Sequence, residues 1–203
     1  MALTETQITE SDTRPSGARA AARRQAILDA AVALLMEVGY ERMSMDALAE
    51  RARAGKATIY RHWSGKAEIV VEAIRCRKCD TFMAPADTGS LRGDLLATLD
   101  RSRESFTEED SALIIGMVSA MHNDQELADL MRQQIYEAKQ GMYDEIIARA
   151  VQRGEPVRMT AAPVANEVSS ALFFNQVAMG GGEIDEAFVL HMVDDVILPL
   201  LRC

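Results

Sequence analysis

Hydrophobic positions along most of the chain recur at intervals of three and four residues, the spacing that places side chains on one face of an α-helix. The first such face begins after about residue 18 and consists of Ile27, Ala31, Leu34, Leu35 and Val38. Gly39 follows it, and glycine is common directly after a helix because it adopts a left-handed backbone with little strain. The pattern therefore predicts a first helix that ends near residue 38.

Three further helices are predicted in the N-terminal part of the chain. Ser44 is a natural N-cap for a short second helix, because its hydroxyl can accept a hydrogen bond from an unpaired backbone N–H. A short third helix is predicted over about 55–62, and Ser64 is expected to cap a fourth over about 65–81. Three compact helices with a tight turn between the last two form a helix-turn-helix unit, here at about 44–63.

The same periodicity continues through the C-terminal part. It predicts helices from Ser90 to about 106, from Ser111 to about 121 after an acidic break at 107–110, over 124–153, over 161–179, and from Asp185 onward. No strand pattern is convincing. The predicted fold is therefore all-α with about nine helices, arranged as an N-terminal three-helix helix-turn-helix domain and a C-terminal helical bundle.

The domain boundaries follow from breaks in this pattern. Residues 1–17 are polar, contain Pro15 and Gly17 and have no apolar period, which predicts a disordered arm. A first domain, which contains the helix-turn-helix unit, is predicted over 18–81, and a second helical domain over 82–203.

Composition supports a helical, non-exported protein of 203 residues, of which 48% are hydrophobic and 5% aromatic. No run is apolar enough to span a membrane. The first thirteen residues carry three acidic and no basic side chains, unlike a signal peptide, so a cytoplasmic location is expected.

Three cysteines, Cys76, Cys79 and Cys203, fit reduced thiols. Cys76 and Cys79 form a C-x-x-C pattern, but no second ligand pair accompanies it, as a structural zinc site needs. Neither a metal nor a cofactor is expected; a redox-sensing role of the pair stays open, with ordinary helical cysteines favoured.

Charge divides the chain into two unlike parts. Residues 14–79 carry thirteen basic and seven acidic side chains, a net charge of +6, whereas residues 80–203 carry nine basic and twenty-one acidic ones, a net charge of −12. A basic segment in an otherwise acidic chain indicates a polyanionic partner, although a chance cluster of solvated charges is the alternative.

The third helix carries the side chains that such a partner would contact. In a helix-turn-helix unit this helix enters the major groove of duplex DNA, where base edges accept from Lys and Thr side chains and phosphates accept from Tyr and Arg. Lys66, a cation in the first turn of the fourth helix, opposes the helix dipole unless a phosphate binds there. The predicted DNA-binding residues are Ser44, Arg53, Lys56, Ala57, Thr58, Tyr60, Arg61, His62 and Lys66.

A family resemblance rests on the same segment. The stretch RRQAILDAAVALLMEVGYERMSMDALAERARAGKATIYRHWSGKAEIV closely resembles the DNA-binding domain of TetR-type transcriptional regulators. The shared features are the Gly39-Tyr40 helix stop, the short helix after Ser44, the K-A-T-I-Y recognition helix, and Trp63 with Lys66 behind it. The resemblance covers about residues 19–75.

Arg53 departs from the family pattern, in which glycine usually occupies this turn. A left-handed backbone costs a non-glycine residue about 1 kcal/mol or more. Either Arg53 bears that strain or Gly55 absorbs it in a rearranged turn.

The resemblance implies that residues 82–203 bind an effector and dimerise. The candidate pocket residues are Phe106, Met117, Met121, His122, Tyr136, Phe173, Asn175 and Gln176. The candidate homodimer residues lie on the last two helices and are Val168, Ala171, Leu172, Met179, Met192, Val196 and Leu200. Each set could instead belong to an ordinary core.

The sequence therefore predicts a DNA-binding transcriptional regulator, a repressor whose dimer binds a palindromic operator in double-stranded DNA and is released by a partly apolar small molecule. The alternatives are a helical protein-interaction module and an activator without small-molecule induction. An enzyme is not expected, because the three histidines are scattered and no catalytic constellation is visible.

Overall fold

The computed structural model describes residues 16–82, 85–179 and 183–202. The predicted arm lies outside these ranges except for its last two residues, which already belong to the first helix. Cys203 and the side chain of Cys79 also lie outside the described part, so the predicted roles of the C-x-x-C pair stay predictions. No helix in the described ranges is both long and apolar enough to cross a membrane.

Four helices make up the N-terminal part: α1 (Ser16–Arg42), α2 (Met45–Arg51), α3 (Lys56–Tyr60) and α4 (Lys66–Phe82). The predicted break in α1 is present, because Gly39 has a left-handed φ of 76° inside the assigned helix. Ser44 is the N-cap of α2, and its hydroxyl accepts from the Ala47 amide at 3.1 Å. The local signals in the sequence are thus sufficient to place these helices.

Seven more helices follow: α5 (Leu91–Glu104), α6 (Glu108–Asn123), α7 (Gln125–Met131), α8 (Glu137–Gln152), α9 (Ala162–Met179), α10 (Glu186–His191) and α11 (Leu198–Leu201). Two π-helical segments, Arg132–Tyr136 and Met192–Ile197, join α7 to α8 and α10 to α11. The described residues therefore form nine continuous helices, as predicted. A 3-10 turn at Met159–Ala161 precedes α9.

The predicted acidic break at 107–110 is wrong. Thr107 is the N-cap of α6 and forms a capping box with Asp110, so the acidic residues make up the first helical turn. Acidic side chains are stabilising there because the helix dipole is positive at its N-terminus. Asp110 is buried, and its carboxylate accepts from Arg77 Nε at 3.0 Å.

Two hydrophobic clusters hold the helices together. The first contains the buried residues of α1–α4 and continues into α6 and α7 through Leu113, Met117, Ala120 and Leu127. The second joins α5 and α8 to α9, α10 and α11. The core beneath the helix-turn-helix unit thus crosses the boundary predicted at residue 81, and the division into two domains stays a prediction.

Candidate nucleic-acid interface

The turn between α2 and α3 is closed by a Schellman motif. The Arg53 amide donates to the Glu50 carbonyl at 3.1 Å, and the Ala54 amide donates to the Ala49 carbonyl at 3.0 Å. Such a motif requires a left-handed residue directly after the helix. Arg53 fills that position with φ 49°, whereas Gly55 has φ −67° and ψ 140°. Arg53 therefore bears the strain, and Gly55 does not absorb it.

Replacing Arg53 by glycine is expected to raise the free energy of unfolding by about 1 kcal/mol, because glycine adopts the left-handed backbone without steric strain. Chemical denaturation of both proteins measures this change. Arg53→Ala is the matched control, since it removes the guanidinium but keeps a Cβ at the strained position. Equal stability of the glycine and alanine variants would contradict the assignment of strain to this residue.

One face of helix α3 packs against buried residues, and the opposite face is exposed to solvent. Ile59 and Trp63 are buried, and the Trp63 indole N–H donates to the Glu72 carboxylate at 2.7 Å. Arg24 pairs with the same carboxylate and lies over the Trp63 ring at 5.6 Å from its centroid. A five-residue helix is marginal alone, so this packing fixes its orientation.

The predicted DNA-binding residues of this segment lie mostly on the open surface. Thr58 is half-buried, and Lys66 is described below. The exposed ones are Ser44, Arg53, Lys56, Ala57, Tyr60, Arg61 and His62. The structure thus brings these side chains to the surface around α3, as an interface with duplex DNA requires.

Lys56, at the first position of α3, has a partner that the sequence argument missed. Its ammonium lies 2.5 Å from the Asp46 carboxylate of α2, and this hydrogen bond raises the pKa of Lys56. Both side chains are more than half exposed. An exposed pair of this kind is weak, so a phosphate or a base edge can compete with Asp46 for the ammonium.

Lys66 contacts the C-terminal end of α1, so its ammonium does not lie free at an anion-binding site. Its ammonium donates to the Tyr40 carbonyl at 2.9 Å and lies 3.9 Å from the centroid of the Tyr40 ring. A cation favours the negative carbonyl end of a helix, which explains its position without a phosphate. A phosphate contact by Lys66 stays a prediction.

Tyr40 also links the end of α1 to the start of α7. Its hydroxyl donates to Asp124, the N-cap of α7, at 2.6 Å. Burial and this hydrogen bond raise the pKa of Tyr40, and the same bond lowers the pKa of Asp124. From the sequence, Tyr40 was interpreted only as part of the signal that ends the first helix. Its hydrogen-bond partner, Asp124, lies 84 residues away, so a local pattern could not predict the contact.

A cavity of about 340 Å³, partly open to solvent, lies among α4, α5, α6, α8 and α9. Of the predicted pocket residues, Phe106, Met117, Met121 and Phe173 line it, and the rings of Phe106 and Phe173 meet edge to face at 5.0 Å. An adjoining open groove of about 800 Å³ includes His122 and Tyr136.

Asn175 and Gln176 line neither space. Asn175 is exposed, and the Gln176 amide donates to the Glu183 carbonyl at 2.8 Å. Lys139 and Ser170 border both spaces and were missed, since a single lysine in a helical pattern gives no sign of burial.

The predicted dimer residues differ in exposure. Met192 is 3% exposed and belongs to the second cluster, so it is a core residue within one chain, and its role at an interface stays a prediction. Met179 is 83% exposed and Ala171 is exposed. The remaining candidates, Val168, Leu172, Val196 and Leu200, are half-buried.

Two short helices joined by a tight turn, with an exposed basic second helix and an attached helical bundle, define a helix-turn-helix DNA-binding protein. Residues 27–73 match the family model "Bacterial regulatory proteins, tetR family", and residues 85–196 match "Tetracyclin repressor-like, C-terminal domain". The chain belongs to the TetR family of transcriptional regulators.

Two related proteins are similar in sequence to this chain over nearly its whole length. It is 35% identical to the DNA-binding transcriptional repressor TetR of Mycobacteroides abscessus, over 91% of this chain and 97% of that protein. It is 32% identical to the uncharacterized HTH-type regulator Mb1581 of Mycobacterium bovis, over 97% and 95% of the two chains.

Solved structures share the fold. Salmonella enterica GusR superposes with a TM-score of 0.71 at 16% identity, over 90% of this chain and 96% of that one. SmeT in complex with triclosan superposes with a TM-score of 0.65 at 21% identity, over 90% and 92%.

Proposed function

We propose that this chain is a repressor whose dimer binds a palindromic operator through two copies of α3 and releases it when a small molecule enters the cavity. The observation that carries the proposal is the continuity of the first cluster. It contains Ile59 and Trp63 beneath α3 together with Leu113 and Met117, which line the cavity. A ligand that repacks the cavity therefore acts on the support of the recognition helix.

Helix α4 supplies the mechanical connection. Ile74 in its middle lines the cavity, while Lys66 at its N-terminus holds the Tyr40 carbonyl. Tyr40 in turn holds Asp124 between α6 and α7. A shift of α6 against α4 is expected to move α1 and α3 together and to change the distance between the two recognition helices of a dimer.

The exposed apolar surface of α9 supports dimerisation. Val164, Phe174 and Met179 are large hydrophobic residues that are 44%, 38% and 83% exposed. A two-fold interface uses the same surface on both copies, and a helix with such a face can pack against its own copy. The proposal places the dimer contact on this face, near the half-buried Val168 and Leu172.

Introducing charged residues on this face of α9 is expected to produce monomers. A monomer contacts only one half-site of the operator, so operator binding should weaken at least tenfold. The double variant Ala171→Glu, Met179→Glu changes two exposed positions, so the monomer fold should persist. Sedimentation equilibrium gives the mass, expected near twice 22.3 kDa for the unchanged protein.

The matched control is Met159→Glu, an equally apolar residue that is 60% exposed and lies before α9. It should remain dimeric. A monomeric parent protein, or a double variant that stays dimeric and binds operator normally, would contradict the placement of the interface.

A further inference from the structure

Lys139 of α8 is a basic side chain that the DNA-binding account does not use. Its ammonium donates to the Ser170 hydroxyl of α9 at 2.8 Å. Within the described part of the chain no carboxylate lies within ion-pair distance of it, and burial is the sole cause that lowers its pKa, to about 8. Most copies therefore carry the charge near neutral pH.

Lys139 is partly buried, and the two fully buried carboxylates of the described residues have partners of opposite sign. Asp94 lies 3.0 Å from Arg153, and Asp110 lies 3.0 Å from Arg77. A buried ion without such a partner is costly. Ser170 compensates only in part, because its neutral hydroxyl also donates to the Asn166 carbonyl at 2.8 Å. Among the described residues, Lys139 thus has a neutral hydrogen-bond partner but no anionic one.

The position of Lys139 shows how an anion would arrive. Lys139 and Ser170 border both the cavity and the open groove, so the ammonium lies where the two spaces meet. Behind it the cavity is walled by apolar side chains, among them Leu99, Leu113 and Phe173. A molecule that fits would place its charged end at this junction and its hydrocarbon part inside.

The cavity volume limits the size of that molecule. At about 30 Å³ for each water, 340 Å³ corresponds to about eleven waters, the space of a hydrocarbon chain with roughly ten carbons. The other charged groups on its wall are Arg75, Arg77 and Asp110; Arg77 forms an ion pair with Asp110, and Arg75 also interacts with another group. A second negative charge on the ligand would therefore find no unpaired cation in the Arg77–Asp110 pair.

We propose that the cavity binds an amphipathic monocarboxylate, with its carboxylate on Lys139 and Ser170 and its hydrocarbon chain between α5, α6 and α9. Such a ligand restores the missing ion pair and fills the apolar space at once. That this ligand is also the effector rests on the proposed function; that it binds does not.

Calorimetric titration with decanoate, below its micelle concentration, tests the proposal without DNA. Decanoate should bind at least tenfold more tightly than 1-decanol or decyltrimethylammonium, which have the same chain but no carboxylate. Lys139→Met should lose at least tenfold in decanoate affinity with 1-decanol unchanged, whereas Arg92→Met, an exposed cation on α5, should bind decanoate normally.

Equal binding of decanoate and 1-decanol, or no binding of decanoate, would overturn the proposal, and so would a folded Lys139→Met variant of full decanoate affinity. If that variant does not fold, the comparison of the three ligands on the unchanged protein still decides. A separate titration of the operator complex with decanoate tests release. Binding without release supports the site and counts against its role as effector site.

Discussion

Operator binding is expected to fall by about a hundredfold or more when Lys56 is replaced by alanine. The side chain lies at the start of α3, where a helix-turn-helix protein contacts base edges, and each dimer loses two such contacts. The buried residues beneath α3 are untouched, so the fold should remain. Fluorescence anisotropy with a labelled operator, at a fixed salt concentration, measures the loss.

The control is Arg92→Ala, because Arg92 is also an exposed cation paired with a single carboxylate, that of Asp194 at 2.7 Å. It lies on α5, outside the proposed interface, and operator affinity should stay within about threefold of the parent protein. If Lys56→Ala binds its operator as tightly as Arg92→Ala does, α3 is not the recognition helix.

Replacing Lys139 by methionine is expected to increase the free energy of unfolding at pH 7 by about 2 kcal/mol. The pKa of Lys139 falls from 10.5 to about 8 on folding, so the charged form is penalised in the native state. The full pKa shift would correspond to about 3 kcal/mol in the free energy of unfolding. The partial exposure of the Lys139 side chain makes the expected effect smaller. Ser170 keeps its bond to the Asn166 carbonyl.

The pH dependence provides the second part of this test. Between pH 8 and 10.5 the unfolded lysine binds more protons than the folded one, so the parent protein gains stability from this group as pH rises. The advantage of the variant should therefore shrink steadily above pH 8. Denaturation of both proteins from pH 7 to 9.5 measures it, and a constant difference would contradict burial of the charge.

The helix-turn-helix unit was largely predictable because its signals are local. Ser44 caps α2 through an amide three residues away, and Gly39 breaks α1 by its own backbone. A left-handed turn was expected only from the resemblance, because glycine usually occupies the position of Arg53 in the family. Which of Arg53 and Gly55 takes that conformation required the structure.

Distant partners explain what the sequence missed. Lys66 contacts Tyr40 and Asp110 pairs with Arg77, and neither contact follows from helical periodicity. Met192 was assigned to an interface because its spacing fitted an apolar face, but its side chain packs in the second cluster of the same chain. Lys139 was overlooked because a single lysine in a helical pattern gives no sign that Ser170 of α9 lies against it.

Selection of duplex DNA from a random pool, followed by binding of the enriched sequence across a salt series, tests the central claim most directly. We expect the enriched DNA to be a palindrome with half-sites about one helical turn apart. We also expect the logarithm of its affinity to fall steeply with the logarithm of the salt concentration. No enriched motif and no salt dependence would contradict it, because the exposed basic surface of α3 would then not bind DNA.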